Sequence, residues 1–234
     1  MGRRLRWAGA GVAAVVLTGF AVQSAGAAPA EPVSRQQAFA AAAAEFGVPR
    51  PVLMAVAYNL SRFEQHGGAP STTGAYGVMG LTDVPASAAR GTGGPAPGSA
   101  SLHTLNTAAR LAGASSAATK SDDATNIRAG AALLAQYARD VDHGALPDSI
   151  GGWYGAVEKY AQTPDATAAG QFAGDVFSTI RTGASERTDG GPVTLAATPS
   201  ARPDTASAAG LHLARPAAGP APECPPELSC DFVP

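Results

Sequence analysis

The amino-acid composition changes near residue 187, and this change limits which part of the chain can fold. Residues 187–234 contain nine prolines in 48 positions, and Phe232 is the only aromatic residue among them. Such a segment has too little apolar surface to offset the entropy lost when its backbone becomes ordered. We therefore expect residues 187–234 to form a flexible linker and residues 28–186 to form one domain of ordinary size.

Local signals predict a helix at the start of this domain. Ser34 and Gln37 have the spacing of a capping box, in which each side chain satisfies a backbone N–H group of the helix N-terminus. The alanine-rich run that follows continues through Phe46, and Gly47 is a typical helix C-terminal residue. The first helix is therefore expected to end at Gly47.

Helical patterns continue through the rest of the domain. A second helix is expected to begin at Pro51, to carry an apolar stripe that Leu60 extends, and to end near Gly67 and Gly68. Residues 85–100 are rich in Gly, Pro and Ser and predict a long loop. No alternating pattern bounded by hairpin turns indicates strands, so the predicted fold class is all-α. Further helical patterns cover residues 102–111, 122–140, 150–161 and 167–182.

Residues 1–27 have the three parts of a secretory signal peptide. Three arginines form a basic start, a mostly apolar run follows, and Ala25-Gly26-Ala27 is a small-residue cleavage site. A single membrane anchor is the alternative, but an apolar run of about fifteen residues broken by glycine is short for a bilayer. We therefore expect a secreted, extracellular protein that has no membrane contact after the signal peptide is removed.

Charge and cysteine content narrow the possible partners. Removal of the signal peptide leaves 13 Lys and Arg against 18 Asp and Glu, a net charge of −5 that disfavours a nucleic-acid partner. Export places the only cysteines, Cys224 and Cys230, outside the reducing cytosol, which predicts a small disulfide loop. A zinc site is the alternative, but two thiols without a nearby His do not complete a tetrahedral site. No cofactor is expected.

Three short motifs follow one another at plausible distances. They are Asn59-Leu60-Ser61-Arg62-Phe63, Gly74-Ala75-Tyr76-Gly77-Val78-Met79-Gly80 and Asn126-Ile127-Arg128-Ala129-Gly130. In this order they resemble lytic-transglycosylase and goose-type lysozyme domains, in which a Glu-Ser-x-Phe helix end precedes Gly-Ala-x-Gly-Leu-Met-Gln and Asn-Ile-x-x-Gly. The resemblance covers roughly residues 50–162 and implies a lysozyme-like helical domain whose partner is peptidoglycan glycan strands.

The same region is also similar to the amino-terminal part of some secreted bacterial N-acetylmuramoyl-L-alanine amidases. In those proteins a domain of this kind precedes a Pro-rich linker and a zinc amidase domain. The resemblance therefore implies a monomeric, cell-wall-associated protein that is the targeting part of an amidase-type protein. Any amidase activity would belong to a longer form, because no residue of this sequence has the pattern to perform it.

The residue at the family's acid position differs from the pattern. That position holds Leu60, and leucine cannot protonate a glycosidic oxygen. Glu64, four residues on and on the same helical face, is one alternative acid, or else a solvated residue at a helix end. Asp83 is a possible second carboxylate that orients water, or else a residue that caps a helix or a turn. No catalytic residue is therefore assigned.

Two further departures concern positions that contact sugar in the family. Gly80 replaces the usual Gln, which removes a hydrogen-bonding side chain, whereas Trp153 and Tyr154 stand where a Tyr-Asn pair is usual and keep aromatic surface. The resemblance thus implies a substrate-binding surface that includes Tyr76, Met79, Trp153 and Tyr154. The alternative for Trp153 and Tyr154 is an ordinary place in the core.

The sequence leaves three hypotheses for function. The first is a catalytically degenerate domain that binds peptidoglycan, because the scaffold motifs are present and the acid is absent. The second is an active glycan-cleaving enzyme with its acid moved to Glu64 or Asp83. The third is a structural spacer that binds no ligand.

Overall fold

Helices account for most of the residues that the computed structural model describes, which are 33–85, 100–163, 165–209 and 211. The signal peptide, both cysteines and most of the predicted loop at 85–100 lie outside these ranges. The helices are α1 (Arg35–Phe46), α2 (Arg50–Ser61), α3 (Thr104–Leu111), α4 (Ser116–Ser121), α5 (Asp123–Val141), α6 (Tyr154–Tyr160) and α7 (Ala166–Thr182). Two antiparallel hairpins pair β1 (Ala75–Tyr76) with β2 (Leu81–Thr82) and β3 (Ala184–Thr188) with β4 (Gly191–Leu195). Short 3-10 helices lie at Ala100–Leu102, Gly151–Trp153 and Thr205–Ala208.

The predicted signals of α1 are confirmed. The Ser34 side chain accepts the backbone N–H of Gln37, and the Gln37 side chain accepts the backbone N–H of Ser34, at 3.0 Å. Gly47 ends the helix in the left-handed conformation with φ of 69°, which glycine adopts without steric cost. Both ends of α1 are thus fixed by residues next to it in sequence.

Helix α2 ends earlier than its sequence pattern predicts. It stops at Ser61 instead of near Gly67, because Arg62 and Phe63 take left-handed φ angles of 55° and 65°. This turn buries the Phe63 side chain completely and packs its ring 5.7 Å from that of Phe39. Burial of a large aromatic ring therefore accompanies the end of the helix.

Helix α5 lies at the centre of the domain and packs against α1, α3, α4 and α6. Its side chains Ile127, Leu133 and Leu134 are fully buried. At Gly130 a Cβ atom would overlap the Met79 side chain, so glycine lets the loop after β1 approach the helix backbone. In the described ranges no helix is long and apolar enough to cross a membrane.

The other predicted helices are present, with shifted ends. The pattern at 150–161 divides into the 3-10 helix at Gly151–Trp153 and α6. Helix α4 and the β1–β2 hairpin were not predicted, because α4 has six residues without an apolar stripe and each strand has only two residues. Both are too short for a periodic pattern to be recognised.

The domain boundary predicted at residue 187 is wrong, because it falls inside the β3–β4 hairpin. Val193 and Leu195 alternate with exposed residues along β4 and are 0% and 4% exposed. This strand packs against α1 and α2. The composition of the whole proline-rich tail did not reveal these two apolar residues, which lie on the same face of one strand.

Polar side chains of α1 attach this hairpin to the rest of the domain. The buried Arg35 donates from Nε to a carboxylate oxygen of Asp123 at 2.8 Å and from Nη2 to one of Asp189, in the hairpin turn, at 2.8 Å. The Gln36 amide accepts the backbone N–H of Thr194 at 2.9 Å and donates to its carbonyl at 3.2 Å. The Arg35–Asp189 and Gln36–Thr194 contacts each join residues more than 150 positions apart in sequence.

The chain after the hairpin also packs on the domain, through residues 202–208, which we call the strap. The backbone N–H of Asp204 donates to the Gly151 carbonyl at 3.1 Å, and the Gly155 N–H donates to the Ser207 hydroxyl at 2.9 Å. The second bond satisfies a free N–H group in the first turn of α6. Residues 187–209 are therefore part of the folded domain, contrary to the predicted flexible linker.

The strap approaches α6 so closely that Gly155 has no room for a side chain. A Cβ atom there would lie 2.5 Å from the Ser207 carbonyl oxygen. We expect Gly155→Ala to lower the free energy of unfolding by about 1–3 kcal/mol through overpacking, measured by urea denaturation. Gly174→Ala in α7 is the control, because its Cβ would meet open space, and it should be neutral or stabilising. Equal effects of the two changes would contradict this close packing.

Candidate functional site

Asn126 joins the second and third sequence motifs in the core. Its fully buried amide accepts the backbone N–H of Met79 at 2.8 Å and donates to the carbonyls of Thr119 at 2.8 Å and Tyr76 at 3.3 Å. At Gly77 a Cβ atom would overlap this amide, and φ there is 67°. Glycine and asparagine in these two motifs are thus explained by one shared contact.

The first motif contacts the same loop from α2. The Ser61 hydroxyl lies 2.7 Å from the Val78 carbonyl and 3.0 Å from that of Ala57. From the other side, the buried Tyr160 hydroxyl donates to the Met79 carbonyl at 3.0 Å. The loop at 77–80 is therefore held by α2, α5 and α6, and the three motifs meet around it.

Leu60 lies on the surface beside this loop and does not extend the buried stripe of α2. Its exposed fraction is 37%, whereas Leu53, Val56 and Ala57 are fully buried. A Cβ atom added to Gly80 would be 3.1 Å from Leu60 Cβ, and φ at Gly80 is 58°. The two departures from the family motifs, Leu60 and Gly80, are therefore neighbours in space.

Glu64 does not lie one helical turn beyond Leu60, as the sequence pattern predicts. The helix ends at Ser61, and the left-handed residues Arg62 and Phe63 redirect the chain before Glu64. The Glu64 backbone N–H donates to the Ser61 carbonyl at 3.0 Å. The premise that placed its carboxylate on the same helical face as Leu60 is therefore wrong.

Asp83 is at the centre of a cluster of polar side chains. Its carboxylate lies 2.6 Å from Lys120 Nζ, 3.3 Å from Asn106 Nδ2 and 3.4 Å from His103 Nδ1. Lys120 Nζ also lies 4.4 Å from the centre of the Tyr76 ring, a cation–π contact. The cluster thus connects the β1–β2 hairpin with α3 and α4.

These contacts determine the charge of Asp83. The hydrogen bond from Lys120 is the main cause that lowers the pKa of Asp83; His103 lowers it further, and partial burial opposes both. The carboxylate is therefore ionised near neutral pH. In that state it accepts hydrogen bonds but has no proton to donate to a leaving group.

An open cleft of about 330 Å³ lies beside this cluster. Tyr76 of β1 and Asp83, directly after β2, line it together with residues of the turn before β1. Of the four residues predicted to bind substrate, Tyr76 is the one that the structure places in this cleft. The lining residues are Pro70, Ser71, Thr72, Thr73, Gly74, Tyr76, Asp83, Val84 and Pro85.

The other three predicted binding residues lie in the core. Met79 and Trp153 are fully buried, and Tyr154 is 8% exposed. The Trp153 indole N–H donates to the Pro147 carbonyl at 3.3 Å, and the Tyr154 hydroxyl donates to the Gly170 carbonyl at 3.2 Å. Their prediction as sugar-contacting residues is therefore wrong, and the alternative of core aromatics describes Trp153 and Tyr154.

Sequence reasoning did not identify Lys120, His103 and Asn106 as part of the site. They lie 37, 20 and 23 positions from Asp83, so no local motif connects them. Lys120 is on α4, which the sequence did not predict. Their pairing with Asp83 depends on the tertiary fold.

The lowered pKa of Asp83 leads to a pH-dependent prediction. Stabilisation by this ionised group is present above its ordinary pKa of 3.8 and is lost as the pH falls through its folded-state pKa. We expect Asp83→Asn to lower the free energy of unfolding by about 1 kcal/mol at neutral pH, and we expect this difference to shrink in acid. Urea denaturation at neutral pH and near pH 3 measures both values. A difference that stays constant would contradict the ion pair.

Within the described ranges, no group of three or more His, Cys, Asp and Glu side chains is arranged to hold a metal ion. The sequence matches no protein-family model, and no curated protein is significantly similar to it.

Proposed function

We propose that this chain is a secreted, lysozyme-like domain that binds peptidoglycan glycan strands without cutting them. By the same resemblance we propose that it is the targeting part of an N-acetylmuramoyl-L-alanine amidase-type protein. The observation that carries the proposal is the pair Leu60 and Gly80, which lie together where the motif pattern would have an acid and a glutamine.

The contacts among the three motifs support the lysozyme-like scaffold. Residues that the family motifs specify, among them Ser61, Gly77 and Asn126, hold one loop in place through buried or half-buried hydrogen bonds and close packing. Such residues are needed for the scaffold whether or not the domain cuts its ligand. Their presence without the acid is what we expect of a domain that lost catalysis and kept its cleft.

The two candidate carboxylates, Asp83 and Glu64, support binding over cleavage. General-acid catalysis needs a carboxylic acid that is protonated near neutral pH and lies within hydrogen-bond reach of the leaving oxygen. The hydrogen bond from Lys120 lowers the pKa of Asp83, which is ionised near neutral pH, and Glu64 follows a turn that takes the chain out of α2. Neither fits the role of a relocated acid.

A sedimentation assay with insoluble peptidoglycan tests the proposal. The secreted chain is incubated with purified cell walls, and the supernatant is analysed for muropeptides by mass spectrometry. We expect the protein in the pellet and no released sugar fragments. A chain that stays in the supernatant would instead be a spacer. Release of fragments would overturn the proposal, and Glu64→Gln and Asp83→Asn would then identify the acid.

A charge at position 60 tests whether the ligand passes Leu60. We expect Leu60→Glu to weaken peptidoglycan binding about fivefold, because an apolar contact is lost. We expect it to gain no cleavage, because an exposed carboxyl group is ionised near neutral pH. Leu111→Glu is the matched control, since Leu111 is 39% exposed and Leu60 is 37% exposed. Equal effects of the two changes would place the ligand elsewhere.

A further inference from the structure

We infer that a second cleft, at the end of the strap, is the docking site of residues 212–216 of the same chain. In this arrangement the Arg215 guanidinium lies among the carboxylates that line the cleft, and Leu213 packs on its apolar side. The inference is independent of the proposed function, because this cleft shares no lining residue with the one beside Tyr76 and Asp83.

The second cleft lies where the end of α5 meets the strap. Its volume is about 560 Å³, and its lining includes Asp142, directly after α5, Asp148 of the following loop and Asp204 of the strap. Leu211, the last described residue of the chain, also lines it. The residues that follow Leu211 therefore begin at this cleft.

Carboxylates determine the charge of the second cleft. Four of its lining residues are aspartates, and one histidine is the only described lining residue that can carry a positive charge. Asp140 pairs with Lys159 at 2.5 Å. In the described ranges the other three, Asp142, Asp148 and Asp204, form no ion pair. A cation placed among them would be attracted by all three and would offset their mutual repulsion.

The chain supplies one such cation within reach. After Leu211 it continues as His212-Leu213-Ala214-Arg215-Pro216, and Arg215 is the only Lys or Arg in residues 212–234. Four extended residues span at most about 14 Å, which exceeds the diameter of about 10 Å of a sphere with the volume of the cleft. Proline at position 216 restricts Arg215 to extended backbone conformations, so less entropy is lost when this segment docks.

The rest of the same segment has the wrong charge for the second cleft. Residues 217–234 contain Glu223, Glu227 and Asp231 and no Lys or Arg. Their carboxylates would be repelled by the aspartates of the lining. A cationic segment of another molecule would in addition lose translational freedom, whereas residues 212–216 are attached to the cleft through Leu211.

The apolar side of the second cleft is in place before the segment docks. Val141 and Pro147 form this side and give Leu213 an apolar surface. Pro147 is packed so closely on the 3-10 helix before α6 that a Cβ atom at Gly152 would lie 2.8 Å from its Cβ. The strap is attached to the same 3-10 helix through the Asp204 N–H group. A preformed site reduces the entropy lost on docking.

Backbone order parameters of the full chain, measured by ¹⁵N NMR relaxation, test the inference. We expect values above about 0.6 at Leu213, Ala214 and Arg215 in the parent and below about 0.6 in Arg215→Glu, which meets like charges in the cleft. Arg187→Glu is the matched control, because Arg187 is an exposed arginine of β3 outside the cleft. It should leave all three values unchanged. Thermal unfolding of each variant shows that it is folded.

A change on the other side of the contact gives a second test. Asp142→Asn combined with Asp148→Asn should lower the order parameters of residues 213–215 in the same way. Asp175→Asn, at an exposed position of α7 outside the cleft, should not. The inference is wrong if these order parameters are below about 0.6 in the parent or do not respond to Arg215→Glu. It is also wrong if they rise with protein concentration, because the segment would then dock on a second copy.

Discussion

A chain that ends at residue 186 is expected to lose its stable fold, whereas one that ends at residue 211 is expected to keep it. The shorter chain lacks β4, and with it the buried side chains Val193 and Leu195. It also lacks Asp189, so the buried Arg35 would keep only one of its two carboxylate partners. The strap that satisfies the first turn of α6 is missing as well.

The expected decrease in the free energy of unfolding is large compared with the stability of an ordinary domain. Burial of Val193 and Leu195 alone contributes about 3–6 kcal/mol, and a typical domain is stable by only about 5–15 kcal/mol. Circular dichroism during thermal unfolding of the two truncated chains measures the effect. If both chains unfolded at the same temperature, the hairpin and strap would not be part of the cooperative unit.

The second large effect is expected from Asn126→Asp. This change keeps the acceptor for the Met79 N–H group but replaces the amide donor by an oxygen that faces the carbonyls of Tyr76 and Thr119. A buried, unpaired charge and two unsatisfied carbonyls together should lower the free energy of unfolding by about 3–5 kcal/mol at neutral pH.

The sign of the pH dependence follows from the environment of the new carboxyl group. Burial and the two facing carbonyls raise its folded-state pKa above the unfolded value, so the protonated form stabilises the variant in acid and this stabilisation is lost as the pH rises. The deficit relative to the parent should therefore shrink at low pH. Urea denaturation across this range measures it.

Asn59→Asp is the control for the Asn126 variant. Asn59 also donates from its amide, to the Ala55 carbonyl at 2.8 Å and the Thr179 hydroxyl at 3.0 Å, but it is only half-buried. Water can solvate the new carboxylate there, so the loss should be smaller. A larger loss at Asn59 than at Asn126 would contradict the central role of Asn126 in the core.

The parts of the fold that were predictable from the sequence depend on neighbouring residues. The capping box of Ser34 and Gln37 and the C-terminal Gly47 fix both ends of α1 without help from the rest of the chain. The end of α2 was not predictable in this way. It depends on burial of Phe63 against Phe39, a contact between two separate helical regions.

The candidate site likewise has a part that was predictable from local motifs and a part that depends on tertiary contacts. The motif spacing pointed to Tyr76 and Asp83, and both line one cleft. Burial of Trp153 and Tyr154 was not decided by sequence, because an aromatic residue on a helix suits a core as well as a binding surface. The partners of Asp83 come from α4 and the region of α3, and their proximity is a result of tertiary packing.

The way the strap is held determines where related sequences would be free to vary. Its contacts with α6 and with the 3-10 helix before it use backbone groups and a single hydroxyl, and the space it occupies exists because Gly151 and Gly155 have no side chains. These two glycine positions therefore tolerate fewer amino acids than the strap does. In any relative of this chain we expect the two glycines to be retained while the strap diverges, so that a domain boundary drawn by sequence similarity would end too early.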